Sequence, residues 1–88
     1  MSIETKLAKL EYREKKDTTW TTDAIKIYFK DIDYGYYIGL VVDVKEQKIV
    51  MDFVRNDHPP HVYQNSEFEI FFRVYEEYKK DINILKTN

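Results

Sequence analysis

The chain has 88 residues, of which 14 are basic and 16 acidic, so its net charge is −2 and no broad basic surface is expected for nucleic-acid binding. This length allows one domain with one modest core, and we predict a single domain over residues 1–88. The sequence has no cysteine, which excludes disulfide scaffolds and thiolate metal sites and is typical of a cytoplasmic protein.

No apolar run approaches the ~20 residues of a membrane helix, so we expect no membrane partner.

Residues 3–14 fit two different structures. Ile3, Leu7 and Leu10 recur at helical spacing, and Ser2 is a suitable N-cap. The longer stretch from residue 9 to residue 29 is also typical of strand, turn and strand, with Leu10 and Tyr12 facing inward and the bend at residues 15–18. The second interpretation is favoured.

Three further strands are predicted between residues 24 and 55. The first alternates and places Ile25, Ile27 and Phe29 on one face. After turn-forming residues 31–35, a strand at 36–44 has one face made of Ile38, Leu40, Val42 and Val44. A polar connection at 45–47 leads to residues 48–55, in which Ile49, Met51 and Phe53 are expected to face the core, with Arg55 in register at the rim of that face.

The C-terminal segment has helical periodicity. Ser66 and Glu69 match a capping box, and seven apolar residues follow at helical spacing: Phe68, Phe71, Phe72, Tyr75, Tyr78, Ile82 and Leu85. The stripe of aromatic residues at 68–75 either covers the sheet or, if part of it stays exposed, marks a partner or dimer surface. The predicted fold class is therefore α+β, a four-stranded antiparallel meander packed against one C-terminal helix.

The segment 54–64 contains both histidines and both prolines. A residue before proline avoids the helical region, so this segment is expected to be extended. In polyproline II geometry His58 and His61 would project from the same side with Cα atoms ~9 Å apart. Such a pair can act as general base and general acid in phosphodiester cleavage. An exposed loop with no activity is the alternative.

Nearby side chains suit the same chemistry. Arg55 can hold a phosphate in bidentate fashion, and Asp57 can orient a histidine. Tyr63 can stack on a base, and we add Tyr12 and Arg13 as candidate binding residues. A metal site built from Asp57, His58, His61 and more distantly Asp52 has too few well-placed ligands, so we predict no metal and no cofactor.

The run "YYIGLVVDVKEQKIVMDFVRNDHPPHVYQ" resembles the middle of TumE-type toxins of toxin–antitoxin operons and related small proteins. The positions that match are Arg55, Asp57, His58 and His61. The chain departs from the family pattern in having two histidines in this loop and Asn56 between the arginine and the aspartate. The resemblance implies RNA cleavage by a ribonuclease, or another toxic action on nucleic acid, that is neutralised by a cognate antitoxin protein.

Two further hypotheses assign no catalytic activity to the protein. The chain has eight tyrosines and an aromatic helix face, which are typical of a protein-binding module, for example one from a phage or mobile element. A homodimer formed through a strand edge or the helix face is the other.

Overall fold

The computed structural model describes residues 1–16, 21–57 and 65–87, with the backbone alone for residues 65–67. Its elements are α1 (Ile3–Lys9), β1 (Arg13–Glu14), β2 (Ile25–Asp33), β3 (Tyr36–Asp43), β4 (Lys48–Asn56) and α2 (Asn65–Lys86). The strands form one antiparallel sheet in the order β1-β2-β3-β4. The predicted α+β class, the meander and the C-terminal helix are confirmed.

The N-terminal segment contains both a helix and a strand, so the preference for a strand is wrong for residues 3–9. Ser2 caps α1, because its side-chain oxygen accepts the Thr5 N–H at 3.2 Å. Ile3 and Leu7 lie one turn apart and are both buried in the core. The chain leaves α1 through Glu11, whose φ is 69°, and only residues 13–14 pair with β2. The bend expected at 15–18 lies partly outside the described residues.

The β2–β3 hairpin and strand β3 agree with the sequence analysis. Tyr34 and Gly35 both have positive φ, 48° and 80°, which suits the right-handed twist of a tight hairpin. On β3, Ile38, Leu40 and Val42 are fully buried on one face, called here the inner face of the sheet. Both described helices pack on this face, as the shared core cluster shows.

The prediction that Met51 and Phe53 face the core is wrong. The register of β3 with β4 shifts between Val41 and Val42, whose partners are Met51 and Ile49, so Val50 is an extra residue. A bulge of this kind reverses the alternation on its two sides. Ile49 therefore packs against the core, whereas Met51 pairs with Val41 on the opposite face, called here the outer face.

Beyond the bulge, Asp52 and Val54 lie opposite the buried residues of β3, so the inner face of β4 includes a carboxylate. Phe53 and Arg55 lie opposite Gly39 and Tyr37 on the outer face. Arg55 is thus on the outer face and not at the rim of the core face, which corrects the predicted position.

Helix α2 faces the sheet with Val74, Asp81 and Leu85, which are 0%, 1% and 6% exposed. These positions recur at helical spacing and form one stripe. The helix begins one residue before Ser66, the predicted N-cap. Neither described helix is long and apolar enough to cross a membrane.

Candidate functional site

Two of the predicted catalytic residues lie at the C-terminal end of β4. Arg55 and Asp57 are both exposed, and the backbone N–H of Asp57 donates to the Gly35 carbonyl at 3.2 Å. This hydrogen bond ties the exit of β4 to the β2–β3 turn. His58, His61 and Tyr63 lie outside the described residues, so RNA cleavage by this cluster stays a prediction.

Tyr12 and Arg13, the other two candidate binding residues, lie at β1. This strand is at the edge of the sheet opposite β4. Arg13 lies on the outer face, where its guanidinium stands 5.0 Å from the centre of the Phe29 ring and 3.1 Å from Asp31. Tyr12 is buried, and its hydroxyl donates to Asp81 at 3.0 Å. The structure therefore does not bring Tyr12 and Arg13 together with Arg55 and Asp57.

A buried polar cluster joins α2 to β2. The Lys30 ammonium donates to Asp81 at 2.8 Å and to Glu77 at 2.9 Å. Burial alone would lower the pKa of Lys30, but these two carboxylates outweigh it and raise the pKa. The same contact lowers the pKa of Glu77, mainly through the Lys30 hydrogen bond. Burial, followed by the charge of Asp81, raises the pKa of Tyr12.

A second ion pair lies on the same flank of α2. Arg73 contacts Asp33 at 3.1 Å, near the end of β2. This pair and the Lys30 contacts lie on the same side of the helix. The flank of α2 toward β2 is therefore charged and paired.

The opposite flank of α2 is aromatic and exposed. Four side chains there, called the aromatic flank, are 40–59% exposed: Phe68, Phe71, Phe72 and Tyr75. Phe71 connects them, with ring centres 6.1 Å from Phe72 and 6.4 Å from Tyr75. The sequence had left open whether this stripe is core or surface, and the structure shows that much of it is surface.

The aromatic flank lies toward β4. Tyr78 continues the row of rings from Tyr75 at 6.1 Å, and its hydroxyl donates to Asp52 of β4. That hydrogen bond raises the pKa of Tyr78 to about 12. At the other end, Phe71 lies 6.1 Å from Tyr36, which pairs with Asn56. The row of rings thus runs from Asp52 on β4 to Tyr36 at the start of β3.

Strand β4 is an edge strand within the described part of the chain. It has nine residues and pairs only with β3 there. The backbone N–H and C=O groups on the far side of an edge strand are available to another strand. A long open edge therefore lies beside an exposed row of aromatic rings.

Two other kinds of site find no support. Residues 1–16, 21–57 and 65–87 contain no group of three side chains suited to holding a metal ion. An open cleft of about 420 Å³ lies between Tyr34 and the first turns of α2, and Glu69 and Arg73 contribute opposite charges to its lining. This cleft holds no convergent set of catalytic groups.

The chain was compared with protein-family models, with curated proteins and with solved structures, and none of the three comparisons finds a match.

Proposed function

We propose that the protein is a binding module that recognises an extended segment of another protein. The segment adds to β4 as a further antiparallel or parallel strand, and its side chains on the inner side contact the aromatic flank of α2. The observation that carries this proposal is the juxtaposition of exposed aromatic rings with an open sheet edge.

The two parts of this surface contribute differently to binding. An added strand gains main-chain hydrogen bonds, which supply affinity for any extended sequence. The aromatic rings add selectivity, because apolar side chains at alternate positions of the added strand would be buried against Phe71 and Tyr75. Aromatic residues are also enriched among those that dominate binding energy at protein interfaces.

The rings of the aromatic flank already contact one another in the free protein. Phe71 stacks on Tyr75 with an angle of 15° between the ring planes, and the Lys79 ammonium lies 5.6 Å from the centre of the Tyr75 ring. Because these side chains already contact one another, less rotamer entropy is lost when a partner covers them. The surface is therefore suited to binding without rearrangement of α2.

Selection from a library of displayed random peptides tests this proposal. Peptides enriched on the folded protein are expected to be extended and rich in apolar residues at alternate positions. Phe72→Ala and Tyr75→Ala should each weaken a selected peptide about tenfold, which corresponds to ~1.4 kcal/mol.

Ile84 supplies the matched control, since it is 40% exposed on the same helix but lies on the other flank. Ile84→Ala should leave the affinity unchanged. Failure to enrich any peptide, or equal losses in all three variants, would remove the proposal.

A further inference from the structure

The outer face of the sheet is apolar at its centre. Seven side chains from three strands form this centre: Ile25, Ile27, Phe29, Tyr37, Val41, Met51 and Phe53. Most are half-buried by their neighbours in the sheet, but Met51 is 54% exposed. Both described helices lie on the inner face. A sheet with one solvated face normally alternates apolar and polar residues, so this apolar outer face is a candidate interface.

Aromatic rings pack closely at the centre of this face. The Phe53 ring lies over Gly39, where an added Cβ would stand 2.2 Å from the ring. Tyr37 packs edge-on against Phe53 with ring centres 6.4 Å apart. An apolar layer of this kind suits the packing of one sheet on another, ~10 Å apart.

Charged residues stand around this centre in defined rows. One row across the sheet consists of Asp31, Tyr37 and Arg55, since Tyr37 pairs with each of the other two. At the opposite end of the face, Asp43 pairs with both Ile25 and Lys48. The face therefore has a carboxylate on β2 and a guanidinium on β4 at one end, and a carboxylate on β3 beside a lysine on β4 at the other.

We propose that this outer face packs against the same face of a second copy, forming a symmetric two-sheet sandwich. A two-fold axis parallel to the strands places β2 of one copy over β4 of the other and each row over itself. Asp31, which also contacts Arg13 of its own copy at 3.1 Å, then faces Arg55 of the second copy, twice per dimer. An axis across the strands would instead place Arg55 over the end that holds Asp43 and Lys48 and Asp31 over the end that holds Ile25, so the Asp31–Arg55 contacts would be lost.

The size of the face predicts a weak dimer. Residues 25–31 extend ~20 Å at ~3.4 Å per residue, and four strands span ~14 Å. The flat area is thus roughly 300 Å² per copy. Protruding side chains add to this flat area, but the total stays below the ~800 Å² per partner of a standard interface. We expect a dissociation constant on the order of 10 µM or weaker.

Sedimentation velocity of charge-reversed variants tests both the face and the axis. The wild-type protein should become dimeric as its concentration rises toward ~1 mM, given the weak affinity expected for a small interface. Asp31→Arg and Arg55→Asp should each stay monomeric, because each creates two like-charge contacts. An equimolar mixture of the two variants should dimerise again, since both contacts are then between opposite charges.

Met51→Lys should also abolish the dimer, while Phe72→Ala on the aromatic flank of α2 should leave it intact. Circular dichroism checks that every variant keeps its fold. A wild-type protein that stays monomeric at ~1 mM overturns the proposal, because even the weak dimer expected for a small interface should form at that concentration. So does a dimer that persists in both charge-reversed variants, or a mixture that fails to dimerise. None of these outcomes affects the proposed binding at β4.

Discussion

The Lys30 Nζ atom lies 2.8 Å from Asp81 Oδ2, so an ion pair joins β2 to α2 inside the core. The side chain of Asp81 is 2% exposed and that of Lys30 is 11% exposed. This contact lies on the flank of α2 that faces β2, and the aromatic flank lies on the other side of the helix. The buried charge pair is therefore one of the contacts that fix α2 on the sheet, together with buried Val74 and Leu85 and the hydrogen bond from Tyr78 to Asp52.

Removal of the Lys30 ammonium should destabilise the protein strongly. Lys30→Met removes the charged partner of the buried Asp81 carboxylate and leaves the Tyr12 hydroxyl as a neutral donor to it, so we expect a loss of about 3 kcal/mol in the free energy of unfolding. Urea denaturation measures this loss. Arg13→Met is the matched control, because the Arg13–Asp31 pair is exposed and should contribute less than about 1 kcal/mol. Equal losses in the two variants would contradict the role given to Lys30.

Gly39 is expected to be sensitive to any side chain. A Cβ there would stand 2.2 Å from the Phe53 ring, so Gly39→Ala must displace the ring and should cost about 1 kcal/mol of unfolding free energy. The same substitution made together with Phe53→Ala should cost clearly less than it does in the wild type, as a double-mutant cycle would show. Additive losses would mean that the ring does not restrict position 39.

Tyr78 should make stability depend on pH in the alkaline range. Its pKa in the folded protein is raised from 10.0 to about 12, mainly by the hydrogen bond to Asp52. A raised pKa stabilises the fold at pH values below the unfolded pKa, and the contribution is lost as pH rises from 10 to about 12. Tyr78→Phe should therefore cost about 1.5 kcal/mol at neutral pH and progressively less in that window.

Urea midpoints of the wild type and of Tyr78→Phe across the alkaline range measure this effect. Tyr34→Phe is the control, because Tyr34 is 70% exposed and makes no contact with Asp52. A cost of Tyr78→Phe that does not change with pH would contradict the assigned cause.

The RNA-cleavage prediction has a direct genetic test. If His58 and His61 act as base and acid, the double substitution to alanine should abolish growth inhibition on overexpression and lower RNA cleavage by about 10²-fold or more. Arg55→Lys keeps the charge but loses bidentate phosphate binding, so it should lower cleavage less. Toxicity that is unchanged in the double variant would remove this hypothesis.

The sequence predicts the strands and α2 well, because their apolar periodicities are strong. It places Met51 and Phe53 on the wrong face, since a bulge at Val50 reverses the alternation and leaves no mark in the pattern of apolar residues. It also leaves the aromatic stripe of α2 undecided. Which face of the helix is buried depends on long-range contacts such as the Lys30–Asp81 ion pair and the hydrogen bond from Tyr78 to Asp52, and such contacts cannot be derived from local spacing.

The exposed stripe at residues 68–75 was recognisable as a candidate surface, but its position beside β4 was not. That relation follows from the contacts of Tyr78 with Asp52 and of Phe71 with Tyr36, which are distant in the chain.

Backbone amide hydrogen exchange, measured residue by residue with and without a selected peptide, tests the central claim most directly. Addition of a strand to β4 should slow exchange of alternate amides between Lys48 and Asn56 that do not bond to β3, with little change in β1. Saturating peptide that leaves every β4 amide exchanging at its free rate would contradict the proposed binding mode.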